Sequence, residues 1–290
     1  MFRELALCLS VAVLLGCTST SESISVNAAK NTPLQVVEAA AIRYPNQARN
    51  AISITFDDAR ATQLTEGVPL LNQYQVKGTF YLIPNAVSKH VEGWKAAAKA
   101  GHEIGNHSSS HLCTGNFQWL RDKNAGLEQV DLTWMEKDIV EANSYLETNL
   151  GVRIRSFAYP CGQTFVGRGE AVKSYVPIVA KYFDTGRRWL DETGNNPGYV
   201  DFVQLTSLAI DGKTFEQVKQ MIEQLRANNA WIILTGHDVG LSAQYTTDKQ
   251  MLTQLFGYLQ APENGFWLGT VSEVADHIRA QRTVPKTAMK

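Results

Sequence analysis

Short apolar runs rich in β-branched residues recur along the chain, alternating with stretches whose apolar positions fall at three- and four-residue steps. The first pattern reads as buried strand and the second as amphipathic helix. Strands are expected at 51–56, 78–83, 102–106, 154–159, 181–185, 202–205, 231–236 and 265–268. Between them, Leu132, Met135, Ile139, Ala142 and Leu146 mark a helix over 131–150. Thr214 with Gln217, and Thr270 with Glu273, place capping boxes ahead of two more helices. Residues 61–75 and 246–260 carry weaker helical patterns. Repeated strand–helix units imply an α/β fold with a parallel sheet, closed or nearly closed into a barrel. Two regions interrupt the alternation, 112–130 and 162–200, rich in Gly, Asn and charge and carrying Trp119 and Trp189. Both follow expected strand ends, so they are expected to wall a groove. Their aromatic rings either stack on a ligand or anchor their own loops. Residues 30–50 hold a short helix-like piece expected to pack on the outside of the barrel.

The N-terminus breaks the pattern. Leu5 to Leu15 is apolar but too short to span a bilayer as a helix. Leu14-Leu15-Gly16-Cys17 has the form of a bacterial lipobox, and a polar run from Thr18 to Ser23 follows. The expected organisation is a leader over 1–16, a lipid-anchored polar tether over 17–30 and one barrel domain over 31–290. An ordinary cleaved signal peptide with an incidental cysteine is the alternative. An exported lipoprotein would meet the membrane only through its anchor and would face the periplasm or the cell exterior.

Composition narrows the partners. Lys and Arg number 27 against 28 Asp and Glu, and no basic stretch stands out. Nucleic acid is therefore excluded as an expected partner. Of the four cysteines, Cys8 leaves with the leader and Cys17 is assigned to lipid. Cys113 and Cys161 remain, and an exported compartment permits them to pair.

The candidate chemistry sits at strand ends. Asp57 and Asp58 close the run Ala51-Ile52-Ser53-Ile54-Thr55-Phe56, which delivers two carboxylates to a strand's C-terminal edge, where α/β proteins build sites. His107 and His111 are four apart, a spacing that on a helical turn points both rings one way. Two imidazoles and one carboxylate would hold a metal ion and leave a position open for water, with the second carboxylate free as a base. Asp57, Asp58, His107, His111, Cys161 and His237 all fall at or just after expected strand C-termini.

Thr55-Phe56-Asp57-Asp58, then His107-Ser108-Ser109-Ser110-His111, then Phe157-Ala158-Tyr159-Pro160-Cys161-Gly162 and Ile232-Ile233-Leu234-Thr235-Gly236-His237-Asp238 follow one another in this order. In these motifs the chain resembles the polysaccharide deacetylases, carbohydrate esterase family 4, over about residues 50 to 280. The resemblance implies a distorted (β/α) barrel of about seven βα units. It departs from the family pattern at Ala59-Arg60, where glycine is usual after the aspartates. It departs again at Ala158, which occupies the place of an arginine that orients the catalytic carboxylate. Arg60, Arg153, Arg155 and Arg168 are the candidate substitutes. Leu208-Ala209-Ile210-Asp211 is the best match to the fourth motif, and Thr235 stands where a leucine is usual.

The resemblance implies Asp58, His107 and His111 as ligands of Zn2+ or another divalent transition metal. It implies Asp57 as general base, His237 as general acid and the Cys161 N–H as an oxyanion donor. Asp211 is expected to orient and charge His237, with Asp238 as the rival. Cys113 and Cys161 approach the same centre from different strands, so a disulfide between them is expected, against two buried free thiols. His90, His102 and His277 receive no role. The implied activity is hydrolysis of N- or O-linked acetyl groups on a poly- or oligosaccharide. The alternatives are a catalytically impaired carbohydrate-binding lipoprotein and a metal-independent amide hydrolase on the same fold.

Overall fold

A computed structural model of the chain describes residues 42–226, 229–241 and 243–282. The leader, the lipobox and the tether lie outside the described residues. Eight strands form one parallel sheet: β1 (Asn50–Asp57), β2 (Thr79–Leu82), β3 (Glu103–Asn106), β4 (Ser156–Ala158), β5 (Thr185–Arg187), β6 (Leu208–Ala209), β7 (Trp231–Gly236) and β8 (Phe266–Leu268). Seven run in the order β5-β4-β3-β2-β1-β7-β6. One edge of β1 lies along β7, while its other edge pairs first with β8 and then with β2. The sheet curls until β5 meets residues 202–205, through Gly186 N–H to Phe202 O at 2.9 Å and Leu205 N–H to Gly186 O at 2.8 Å. The same chain then enters β6 and pairs with β7, so one segment touches both edges of a distorted barrel.

Side chains alternate across each strand, and here the alternation sorts chemistry. Ile52, Ile54, Phe56, Phe80, Leu82, Ile104, Phe157, Ile232 and Leu234 join the main apolar core with the surrounding helices. The opposite parity carries Ser53, Thr55 and Asp57 on β1, Thr79 and Tyr81 on β2, Ser156 on β4, and Thr185 and Arg187 on β5, all buried. Thr55 Oγ1 lies 3.0 Å from Thr235 Oγ1, and Thr79 Oγ1 donates to Glu103 at 2.9 Å. This face points into the barrel. At its base it turns apolar, where Ala51, Trp231, Ile233, Leu205, Val271 and Ile278 form a second cluster.

The helical expectations fit closely. Leu132–Leu150 is capped by Asp131, whose carboxylate accepts from Trp134 N–H at 2.8 Å, and ends at Gly151 with φ of 68°. Both capping boxes are present, on Phe215–Leu225 and Val271–Gln281. Two readings need correction. Residues 176–182 are helix, started by Pro177 at a position that proline pre-organises, so the strand expected at 181–185 is Thr185–Arg187. Residues 202–205 form a turn with a single bridge at Leu205, and the strand lies at Leu208–Ala209. Of the segment 30–50, residues 30–41 lie outside the described residues; the rest has a short turn at Pro45–Gln47, beside Ile42 and Tyr44, which are buried in the basal cluster.

Candidate metal centre and cleft

β1 ends with Asp57 facing into the barrel, and the chain then turns sharply. Asp58 and Ala59 both take left-handed backbone angles, φ of 78° and 56°, at a cost of roughly 1–2 kcal/mol each for a residue with a Cβ. The turn lifts the Asp58 carboxylate over the strand end, where Arg60 donates to its Oδ2 from Nη2 at 2.9 Å and Nε at 3.2 Å.

His107 follows β3, but the segment to His111 is no helical turn. Ser108 and His111 have φ of 63° and 46°, and side chains define the loop. Asn106 Oδ1 accepts from Ser108 N–H at 2.7 Å, and Ser108 Oγ accepts from His111 N–H at 3.0 Å. Asp138, on the helix behind, accepts from the backbone N–H groups of Ser109 and Ser110. The two rings nevertheless converge, with centroids 4.8 Å apart. His107 Nδ1 lies 2.9 Å from Ala158 O. A carbonyl only accepts, so Nδ1 carries the proton and Nε2 offers its lone pair to the cleft.

Nε2 of His107 and of His111 stand 3.5 Å and 3.3 Å from Asp58 Oδ1. That oxygen is buried and has no hydrogen-bond partner. Burial opposes ionisation of Asp58, but the nearby imidazoles of His107, His111 and His237 hold its carboxyl well below the usual range. Burial, helped by His107, pushes His111 down to about 4, so it is neutral at physiological pH. Two imidazole nitrogens and an orphaned carboxylate oxygen, mutually within 4.8 Å, fit a divalent transition ion. His111, Cys113 and Cys161 also cluster. The two sulfurs, however, are joined in a disulfide as expected from their positions, with Cα atoms 5.9 Å apart, and so offer no thiolate.

Asp57 is almost wholly buried and is paired through Oδ1 with Nη2 of Arg187. Arg187 is fully buried, stacks over the Tyr81 ring with its central carbon 4.8 Å from the centroid, and donates to Arg188 O at 2.9 Å. None of Arg60, Arg153, Arg155 or Arg168 takes this place. Arg60 bridges Asp58 and Asp238, and Arg155 binds Asp184 and Asp276 at 2.7 and 2.8 Å. Arg168 borders a different surface pocket. In register, Arg187 lies directly opposite Ala158. The guanidinium therefore sits at the same barrel level, supplied from the neighbouring strand. Misplacing that strand at 181–185 hid it; Pro177 held the signal for a helix followed by a strand ending on Arg187.

Across the cleft, His237 Nδ1 lies 2.6 Å from Asp211 Oδ2, and Asp211 Oδ1 accepts from His237 N–H at 3.1 Å and Thr247 Oγ1 at 2.7 Å. Burial lowers the pKa of His237, but its bond to Asp211 and the charges of Asp57 and Asp58 outweigh that and raise it. Asp238 points away, to Arg60 and Thr62. The cleft encloses about 820 Å³, bordered by Phe117 and Trp119 from one expected wall and Trp189 from the other. Cys161, with φ of 55°, lines it too, as does His90. His102 does not; its Nδ1 accepts from Gly78 N–H at 3.1 Å.

The polysaccharide deacetylase profile matches residues 45–175. A Mycobacterium smegmatis protein assigned to the polysaccharide deacetylases superposes with a TM-score of 0.60, at 16% identity, covering 86% of this chain and 96% of that one. This chain carries a polysaccharide deacetylase domain over residues 45–175. The Bacillus subtilis peptidoglycan deacetylase PdaC shares the fold at a TM-score of 0.52 and 18% identity, over 82% of this chain and 95% of its own. Among curated relatives, the uncharacterized protein YlxY of Bacillus subtilis is 27% identical over 221 residues, 74% of this chain and 54% of that protein. A Bacillus cereus peptidoglycan-N-acetylglucosamine deacetylase is 42% identical over 66 residues, 22% of this chain and 31% of that one. The chain thus spans about half or less of the length of these curated relatives. The Arg187 guanidinium and the Ala59-Arg60 turn are features of this chain's own site.

Proposed function

We propose that this protein is a metal-dependent hydrolase that removes N- or O-linked acetyl groups from a carbohydrate. The observation that carries the reading is the facing of two ready-made dyads, Asp57–Arg187 and His237–Asp211, around the Asp58, His107 and His111 cluster. Asp58, His107 and His111 would hold a divalent ion, zinc by our reading, whose chemistry there is Lewis-acid activation of water and of an acetyl carbonyl. Asp57, oriented by Arg187, takes a proton from the attacking water. His237, kept protonated by Asp211, gives a proton to the departing nitrogen or oxygen. The Cys161 N–H donates to the oxyanion. Water is consumed, the C–N or C–O bond breaks, and acetate and the free amine or hydroxyl leave. The impaired-barrel alternative drew its support from the arginine missing at Ala158; Arg187 supplies a guanidinium at that level.

The chain is read as exported, anchored through Cys17 and tethered over 17–30, with 31–290 as the catalytic domain. The disulfide suits an oxidising compartment, and no described helix is long and apolar enough to cross a membrane. The deciding experiment is acetate release from a panel of acetylated glycans, with and without chelator and added zinc. Release that chelator abolishes and zinc restores is expected. Release indifferent to chelator sinks the metal-dependent reading, and no release from any glycan sinks the hydrolase. Mass analysis of the mature N-terminal peptide checks the anchor at Cys17.

A further inference from the structure

The two oxygens of Asp58 have different surroundings. Oδ1 faces the two imidazole nitrogens and has no hydrogen-bond partner. Oδ2 receives two N–H bonds from one guanidinium, Nη2 and Nε of Arg60, at 2.9 and 3.2 Å. The far side of that guanidinium is held as well. Arg60 Nη1 donates to Asp238 Oδ2 at 2.9 Å, and Asp238 Oδ1 accepts from Thr62 Oγ1 at 2.5 Å. Val239 N–H in turn donates to Thr62 Oγ1 at 3.1 Å. The turn after β1 and the short strand Asp238–Gly240 that follows β7 are thereby cross-linked through a single arginine. A carboxylate can meet a cation through one oxygen or through both. With Oδ2 engaged by a fixed fork, only Oδ1 remains free for that contact.

We propose that Arg60 is a positioning residue that restricts Asp58 to one-oxygen ligation of the metal ion, with Asp238 and Thr62 holding Arg60 in place. The inference rests on the metal-centre reading above. Its physical basis is the planar geometry of the guanidinium. Two donors on one edge satisfy Oδ2 and fix the carboxylate plane, which the compact charge of a lysine cannot do. A cation so close to a metal ion opposes binding by simple repulsion. Orientation is the larger effect, because loss of a hydrogen-bond partner behind a ligand typically costs 10–100-fold in metal affinity. The clamp also holds Asp58 in the left-handed backbone conformation that puts its carboxylate over the strand end.

The test is titration of the metal-free protein with Co2+, whose visible d–d absorption weakens as its coordination number rises. Wild type is expected to take up one equivalent with intense absorption. In Arg60→Gln the second oxygen of Asp58 is released to the ion, so absorption per bound Co2+ falls and affinity drops about 10-fold or more. Arg60→Lys should follow Arg60→Gln. Asp238→Asn should move both readouts the same way by a smaller amount, and it carries the test if the Arg60 variants fold poorly. Thermal midpoints taken alongside show whether the barrel is intact. A wild-type spectrum in folded Arg60→Gln, or tighter Co2+ binding, overturns the role of Arg60. A wild type that takes up no Co2+ sinks the metal centre itself, a distinguishable result.

Discussion

At the base of the barrel, Ala51, Trp231 and Ile233 meet Val271, Val274 and Ile278 in an apolar plug. Further along the same two strands, with the same inward parity, β1 ends on Asp57 and β7 leads into His237, among charges and polar side chains. Of the twelve non-glycine residues with positive φ among the described residues, five border the cleft: Asp58, Ala59, His111, Cys161 and Tyr245. None belongs to the basal plug. The base packs hydrocarbon on hydrocarbon, and Asn46, Gln47 and Asn229, with positive φ, lie in the chain that flanks it rather than in the plug. At the rim the positive-φ residues border the cleft itself, where carboxylates and rings converge, held there by buried ion pairs and a disulfide.

The largest effect should come at the rim. His107→Ala or His111→Ala is expected to remove most bound metal and activity while the thermal midpoint stays near that of the wild type, because two ligands hold a divalent ion far less well than three. Elemental analysis with acetate release checks it. Activity that survives in either variant without metal would sink the assignment.

Next come two substitutions of similar cost to stability and different cost to function. Arg187→Met strands the buried carboxylate of Asp57 and should destabilise by about 3–5 kcal/mol. Ile233→Ala at the base should cost about 2–5 kcal/mol through the cavity it leaves. Turnover per folded molecule should fall about tenfold or more in the first and stay within about twofold in the second, the smaller loss expected because Ile233 only packs and the larger because Arg187 orients the proposed general base. Adding Asp57→Asn to Arg187→Met should recover at least half the lost stability. Denaturant midpoints decide it; equal losses of turnover in both single variants would erase the distinction between the two ends.

The base and the rim were also unequally legible. Strand periodicity and capping boxes placed β1 to β4, β7 and β8 and the long helices, because those elements obey local rules of burial and hydrogen bonding. Asp57, Asp58, His107, His111, Cys161 and His237 were expected together at one barrel face, and the structure brings them to one cleft. What was missed has a common cause. Arg187 contacts Asp57 across 130 positions of sequence, on a three-residue strand too short to leave a periodic signal. The His107–His111 spacing suggested a helical turn, whereas backbone N–H groups donating to the side chains of Asn106, Ser108 and Asp138 shape a loop instead. Residues held by long-range polar contacts leave no pattern along the chain.

A smaller effect is expected in pH dependence. His237 has its pKa raised on balance, burial opposing and Asp211 favouring the charged ring. The acid form therefore persists to higher pH than in a free imidazole, near 6.5, and the alkaline limb of the rate profile marks its loss. Asp211→Asn removes the favouring charge and leaves burial, so that limb should move to lower pH with metal content unchanged. The stability contributed by the pair is full below the unfolded value and lost as pH rises through the folded one. The same variant should therefore lose stability mainly on the acid side of that window. An unmoved limb in Asp211→Asn, with a moved one in Asp238→Asn, would transfer the role to Asp238.

The smallest effect is the most direct comparison of the two ends, because one substitution serves both. Ala275 lies buried in the helix Val271–Gln281 against the basal plug. Glycine there gives up helix propensity, about 1 kcal/mol, and one buried methyl, about 0.8 kcal/mol. Ala59 is equally buried but has φ of 56°. Glycine at that position relieves a left-handed conformation worth roughly 1–2 kcal/mol. Against that stand the greater freedom of the unfolded chain, about 0.4–1 kcal/mol, and the loss of one buried methyl, about 0.8 kcal/mol. The terms nearly cancel, so Ala59→Gly should fall within about 0.5 kcal/mol of wild type while Ala275→Gly does not. Chemical denaturation of the two variants side by side is sufficient. An Ala59→Gly loss as large as that of Ala275→Gly would mean that the turn after β1 stores no strain, and the contrast between a relaxed base and a strained rim would fail at its most local point.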